Sequence, residues 1–214
     1  MISVIIPANN EQGCIGNIVR ACKPYCDEII VIDDGSTDST LTESIEAGAT
    51  TYRNTSRMGI VTSIANGLRR AQGDVIVTMD GDGQHDAAEI QTLVRPILDG
   101  RADVVLGRRL QGIPLSERII AQIVGLYVQC VDVGTGFRAV SRDLAKRMHL
   151  WGKCLCGSFV LEAYRNGARI IEVPISIHDR RTGRSHWPSP YSRGMTHGKQ
   201  LSIIVSHTIR FSQR

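Results

Sequence analysis

Apolar residues in this chain fall into short unbroken runs, separated by longer stretches in which they recur every three or four positions. Residues 3–6 form such a run, stopped by Pro7, and residues 28–32 and 74–79 form two more. Shorter runs stand at 49–52 and 103–106. Runs of this length, bounded by turn formers, predict strands buried on both faces. Between them, Ile15, Ile18, Val19 and Cys22 share one helical face, and helical patterns cover 39–47, 60–71 and a stretch ending near Leu98. Strand and helix alternating in this way predict a parallel α/β sheet.

After Gly107 the rhythm changes. Residues 116–131 predict a strongly apolar helix, with Ile119, Ile120, Ile123, Val124, Tyr127 and Val131 at helical spacing. A short strand is expected at 136–140, a helix at 158–165, and two strands at 169–173 and 175–178, parted by Pro174. Residues 179–198 are rich in Arg, Gly, Ser, Pro and His and predict a loop, with a closing helix at 201–211. No internal repeat or linker interrupts the chain. The expectation is one domain over 1–214, with a first half (1–110) and a second half (111–214) that carries the basic loop.

Composition adds limits rather than a function. With 214 residues, 42% hydrophobic and 21% charged, the chain has enough apolar material for one sizeable core. Aromatic residues are only 5%, so Ile, Val, Leu and Ala must fill that core. The net charge of +4 is mild, concentrated in the last third, and fits an anionic small ligand or a membrane surface. Nothing calls for nucleic acid. Six cysteines without a leader pattern suggest reduced thiols, and Cys22, Cys26, Cys154 and Cys156 lack the usual zinc spacing. No apolar run approaches the roughly 20 residues that span a bilayer.

The chemistry gathers at two acidic clusters that follow buried strands. Asp33 and Asp34 end one strand; Asp80 and Asp82 end another, with Gly81 between them and Gln84 just beyond. Ligands of open parallel sheets bind beyond the carboxyl ends of the strands. Two carboxylates and an amide on one turn suit a hard divalent cation already held by a diphosphate. Turn-forming Asp and Gly explain one such cluster, but two after buried strands favour a site. No Gly-x-Gly-x-x-Gly turn follows the first strand, which disfavours a dinucleotide-dependent oxidoreductase.

Three segments stand out: Val4-Ile5-Ile6-Pro7-Ala8-Asn9-Asn10-Glu11, Val31-Ile32-Asp33-Asp34-Gly35-Ser36-Thr37-Asp38 and Met79-Asp80-Gly81-Asp82-Gly83-Gln84-His85. In them the chain resembles the inverting glycosyltransferases of the GT-A type (family 2), and within that family the dolichol-phosphate mannose synthase-like group. Gly107-Arg108-Arg109, Gly134-Thr135-Gly136-Phe137-Arg138 and Arg180-Arg181-Thr182-Gly183-Arg184-Ser185-His186 follow in the same order. The resemblance implies a GT-A fold, a single mostly parallel sheet flanked by helices. It implies a nucleoside pocket lined by Pro7, Asn9 and Glu11, with Ile32 and Asp34 at the base and Asp33 beside them. Asp80, next to Gly81, would face the sugar or ribose, while Asp82 and Gln84, with Asp80 near, would hold Mg2+ or Mn2+. Arg109 would approach the phosphates, and Arg180 and His186 would close over them on a basic lid. The family usually has Tyr at the place of Asn9 and often Lys at that of His186.

The resemblance further implies transfer of a hexose from GDP-mannose or a UDP-sugar to a polyprenyl (dolichyl) phosphate. A phosphate acceptor is already anionic and needs little help from a base; for a hydroxyl acceptor Glu162 is the candidate. The helices at 116–131 and 201–211 suggest an interfacial, peripheral membrane contact on a cytoplasmic protein, with room for a membrane-spanning partner. Two alternatives stand beside this reading: the same donor with a soluble hydroxyl or glycan acceptor, and a non-catalytic sugar-nucleotide-binding module.

Overall fold

A computed structural model describes residues 1–179 and 190–211, with side chains at 190–192 and 208–211 outside the description. Seven strands form one sheet. They are β1 (Ile2–Ala8), β2 (Glu28–Asp33), β3 (Thr50–Arg53), β4 (Val75–Thr78), β5 (Val104–Arg109), β6 (Arg138–Ser141) and β7 (Ile170–Ile175). Their order across the sheet is β3-β2-β1-β4-β6-β5-β7, with β6 antiparallel to both neighbours and every other pairing parallel. The chain therefore builds outward from β1 in one direction and then resumes at β4 on the other side. That reversal opens a crevice between the carboxyl ends of β1 and β4.

Alternation along the strands divides the core. Val4, Ile6, Ile29 and Val31 face α1 (Ile15–Cys22) and α4 (Ile90–Leu98). On the other face Ile5, Ile30, Ile32 and Ile76 pack with α3 (Ile60–Arg70), α5 (Leu115–Val124), α7 (Ser158–Arg165) and residues of the closing helix. Two more helices, α2 (Thr40–Glu46) and α6 (Arg142–Arg147), complete the layers before α8 (Pro190–Phe211). Both faces of the central strands are covered, which is why their sequences read as continuous apolar runs.

Three expectations need correction, and one helix goes unannounced. The helix expected over 116–131 ends at Val124, because Gly125 turns the chain and donates back to Ala121 and Ile123 carbonyls. Pro174 does not divide a strand: β7 runs through it opposite Arg108, on the sheet edge where a missing N–H costs no ladder bond. The closing helix begins at Pro190 rather than at 201, since proline suits the first helical turn and the interior Gly194 and Gly198 cost only about 1 kcal/mol each. The short α6 carries too little periodicity to announce itself.

Candidate active site

Three loops meet at the crevice, those after β1, β2 and β4. The first two are stitched together. Asn9 donates its side-chain amide to the Asp34 carbonyl (2.8 Å), Thr37 N–H donates to Asn10 Oδ1 (2.9 Å), and Asn10 N–H donates to Ser36 Oγ (3.0 Å). Glu11 N–H reaches Thr40 Oγ1 at 2.8 Å. Pro7, at the end of β1, is half-buried beneath this braid.

Asp33 and Asp34 close β2 with different duties. Asp33 is fully buried; its Oδ1 accepts Ser36 N–H at 3.0 Å, and its Oδ2 lies 3.3 Å from the Arg53 guanidinium. Asp34 accepts from Asn54 Nδ2 (2.8 Å), Met58 N–H (2.9 Å) and Gly59 N–H (2.8 Å), and so fixes the loop that leads into α3. Burial alone raises the Asp34 carboxyl, but donors at Asn54, Met58, Gly59 and Ser63 outweigh it and hold the group below its ordinary pKa. Ile32, entirely buried, faces the core.

The turn at residues 80–86 occupies the other wall. His85, buried and tilted against Phe137 (4.9 Å between centroids), brings Nε2 to 3.4 Å from Asp80 Oδ2. Burial pushes the Asp80 carboxyl up, while the His85 hydrogen bond and the charges of His85, Arg138 and Arg109 pull it net downward, favouring the carboxylate. Space for Asp80 depends on Gly136, because a Cβ there would collide with the carboxylate. Thr78 Oγ1 donates to the Gly136 carbonyl (2.8 Å) and keeps that approach in place. Asp82 Oδ1 accepts Gln84 N–H at 3.2 Å. The Gln84 amide nitrogen donates to the His178 carbonyl (3.3 Å), which leaves the amide oxygen for a cation. His178 N–H returns to the Gln84 carbonyl (2.9 Å), and His85 bridges Ile177. The acidic turn is thus tied to the chain one residue before the Arg-rich stretch. Arg180 and His186 themselves lie outside the described residues.

Arg109 is held by carboxylates. Its Nε and Nη2 donate to the two oxygens of Asp132 at 2.7 Å each, and Nη2 also donates to Glu117 Oε2 at 2.5 Å. Burial lowers the guanidinium pKa, but Asp132 and Glu117 reverse this and raise it; Asp132, buried itself, is pulled down by the same contact. Sequence reasoning does not reveal Asp132 and Glu117. Asp132 stands two residues before the Gly134 motif, a position no periodicity marks, and Glu117 lies in an apolar helix where a solvated acid is the ordinary expectation.

Other candidates find places away from the crevice chemistry. Glu162 is buried and accepts from His149 N–H, Trp151 Nε1, Arg165 Nη1 and Asn166 Nδ2, so it ties the segment that follows α6 to the end of α7. Ile120 belongs to the core at 1% exposure, whereas Ile119 (42%) and Leu115 (70%) form the outer face of α5. Cys22 and Cys26 lie with the α1 layer, and Cys154 and Cys156 with the opposite one, so the four never meet.

A twisted sheet with two acidic turns at its reversal point is the frame of enzymes that move groups from nucleotide-activated donors. The model of the family described as glycosyl transferase family 2 matches residues 3–123, and the chain belongs to that family. It is a glycosyltransferase of the hexosyl-transferring kind. A curated relative, UDP-N-acetylglucosamine–dolichyl-phosphate N-acetylglucosaminyltransferase of Methanococcus voltae, is 27% identical, covering 82% of this chain and 84% of its own. Polyprenol monophosphomannose synthase of Mycolicibacterium smegmatis is 28% identical, over 85% and 79%. Among solved structures, glucosyl-3-phosphoglycerate synthase from Mycobacterium tuberculosis, in complex with Mn2+, UDP-glucose and phosphoglyceric acid, superposes with a TM-score of 0.80 at 23% identity, over 96% of this chain and 79% of that one. That likeness establishes the GT-A fold.

Proposed function

We propose that this protein moves a hexose, with inversion at the anomeric carbon, from GDP-mannose or a UDP-sugar to a polyprenyl phosphate, using Mg2+ or Mn2+. The observation that carries this reading is the turn at 80–84, which sets Asp80, Asp82 and Gln84 at the reversal crevice and is tied through His178 to the Arg-rich segment. Hard oxygen donors of this kind fit either cation. When bound, the ion would neutralise the diphosphate and the charge that develops on the leaving group. Asp80, kept as a carboxylate, orients the sugar or ribose, while Pro7, Asn9, Glu11, Asp33 and Asp34 shape the nucleoside side, with Ile32 packed in the core beneath them rather than lining it. Arg180 and His186 supply cations toward the phosphates, while Arg109, expected beside them, is engaged by Asp132 and Glu117 and braces the wall of the crevice. A phosphate acceptor needs no strong base, which agrees with Glu162 being fully engaged in structural hydrogen bonds. The lipid acceptor is supported by the activities for which the M. voltae and M. smegmatis relatives are named.

No helix among the described residues is long and apolar enough to cross a membrane. The outer face of α5, with Leu115 and Ile119 exposed and Leu126 just after it, is the surface proposed to rest on the bilayer.

The test uses labelled GDP-mannose, UDP-glucose and UDP-N-acetylglucosamine with polyprenyl phosphate or 3-phosphoglycerate, in Mg2+, Mn2+ or chelator. Metal-dependent label in the lipid fraction is expected. Transfer only to the soluble acceptor establishes the second reading, which the fold likeness to a phosphoglycerate-using enzyme favours. No transfer from any donor points to a sugar-nucleotide-binding module.

A further inference from the structure

The inner side of α8 carries two buried polar residues that the transfer chemistry does not use, His197 and Gln200. Both meet the loop at 153–157, between α6 and α7. Gln200 Oε1 accepts the backbone N–H groups of Lys153 (2.8 Å) and Cys154 (3.3 Å), fixing that loop against the helix. The loop is tightly seated: a Cβ on Gly157, whose φ is +76°, would meet Ile120, Val124 and Ile204. One turn before Gln200, the two ring nitrogens of His197 have separate neighbours. Nδ1 lies 2.7 Å from Ser116 Oγ on α5, and Nε2 lies 3.6 Å from Cys156 Sγ. Cys154 completes a group of three buried residues whose ligand atoms all fall within 4.8 Å of one another.

We propose that Cys154, Cys156 and His197 form a binding site for a soft divalent cation, Zn2+, which pins α8 to the 153–157 loop. In a tetrahedral zinc site with bonds of about 2.3 Å to sulfur and 2.0–2.1 Å to nitrogen, neighbouring S and N ligands stand roughly 3.6 Å apart. The Cys156–His197 separation matches that distance. The arrangement also has the outer shell such sites need, because Ser116 holds Nδ1 and leaves Nε2 for the ion. Two thiolates and an imidazole select a soft or borderline metal over Mg2+. Nearby, the Arg138 guanidinium is buried over the Phe159 ring, with its Nε lacking a hydrogen-bond partner. A positive charge kept there favours deprotonated sulfur on its neighbours.

Three protein ligands leave the fourth position to water or another exchangeable ligand. The ion would anchor the helix that follows the segment bearing Arg180 and His186. This site is separate from the oxygen-donor turn at 80–84 and does not depend on the proposed activity.

Co2+ serves as the probe, since a thiolate–Co2+ charge-transfer band cannot arise from carboxylate ligands. Titration of the reduced, metal-stripped full chain is expected to give that band with an end point at one equivalent, and Zn2+ should bleach it. Asp82→Ala and the double change Cys22→Ser/Cys26→Ser should keep the band. Cys156→Ser and His197→Gln should lower Co2+ affinity at least tenfold. Absence of a thiolate band in the wild-type protein at stoichiometric Co2+ overturns the site, as does an undiminished band in Cys156→Ser. Where a variant fails to fold, the wild-type titration and elemental analysis of its retained zinc decide the matter alone.

Discussion

Around Asp34 and Asp38, the loops after β1 and β2 hold acidic groups with neutral donors, whereas at Arg109, beyond β5, charge is held by charge. Asp34 is bound by Asn54, Met58 and Gly59, all within 25 residues, and Asp38 by Gln12 and Thr40. In the other region the Arg109 guanidinium joins the carboxylates of Asp132, 23 residues on, and Glu117. The difference has an energetic meaning. A carboxylate satisfied by neutral donors loses a few hydrogen bonds when removed, and water repairs part of the loss. A buried ion cluster that loses one member strands the remaining charge. The first region is thus suited to a site that changes ligands, and the second to a frame that must not move.

The largest effect should come from a group with little structural duty. Asp82→Ala is expected to lower transfer about 10³-fold, close to 4 kcal/mol of transition-state stabilisation, while the thermal midpoint stays within a few degrees of wild type. Transfer assays beside thermal melts separate the two. Full activity in the variant, or in wild type with excess chelator, removes the cation from the proposed reaction.

The frame should respond in the opposite sense. Asp132→Ala leaves Arg109 facing Glu117 alone and is expected to cost about 3–5 kcal/mol of stability in denaturant unfolding. Glu117→Ala should cost less, because its oxygen makes one contact to Arg109 where Asp132 makes three. Combining the two should exceed the sum, since either acid alone still pairs Arg109 and only the double change leaves the buried guanidinium unpaired. Strict additivity would mean that the cluster is not a unit, and the contrast between the regions would fail at its clearest point.

Legibility in the sequence divides along the same line. Buried strands β1, β2 and β4 announce themselves as apolar runs, and the acidic residues sit where those runs stop, so the order of residues is enough to place the crevice. Periodicity reports which residues face a core, not which charges meet. For that reason the Arg109–Asp132–Glu117 cluster is invisible in the sequence, although Arg109 itself stands in a recognisable motif. The same limit hides the antiparallel β6, whose direction depends on partners on both sides. Local chemistry misleads where tertiary context overrules it, as at Pro174 on an edge strand and at Pro190, which opens α8 inside an expected loop. The buried trio of Cys154, Cys156 and His197 joins α8 to the 153–157 loop, a pairing that spacing alone does not disclose.

Asp34 offers a finer test, because its support comes from neutral donors. Its folded pKa lies below the unfolded value of about 3.9. Stability from its ionised form is therefore present above about pH 4 and lost as pH falls through the lower, folded value. Asp34→Asn is expected to cost about 2 kcal/mol at pH 7, in line with hydrogen bonds to a charged acceptor. The gap from wild type should narrow steadily below pH 4. A cost that does not change between pH 7 and pH 3 would assign it to misplaced amide donors rather than to lost charge.

The smallest expected effect on the protein itself concerns the outer face of α5, and it distinguishes a membrane contact from core packing. Leu115 and Ile119 are 70% and 42% exposed, while Ile120, one residue on, is 1% exposed. Leu115→Glu/Ile119→Glu should therefore leave stability within about 0.5 kcal/mol of wild type, as surface changes usually do. Ile120→Glu places a carboxylate in the core and should prevent stable folding. On anionic vesicles the double variant is expected to partition about tenfold more weakly, from lost burial of two apolar side chains and added repulsion. Transfer to a detergent-dispersed polyprenyl phosphate should change little, because neither side chain belongs to the crevice. A folded double variant that binds vesicles as well as wild type removes α5 from the membrane contact, and leaves the acidic turn to stand or fall on the assays of Asp82.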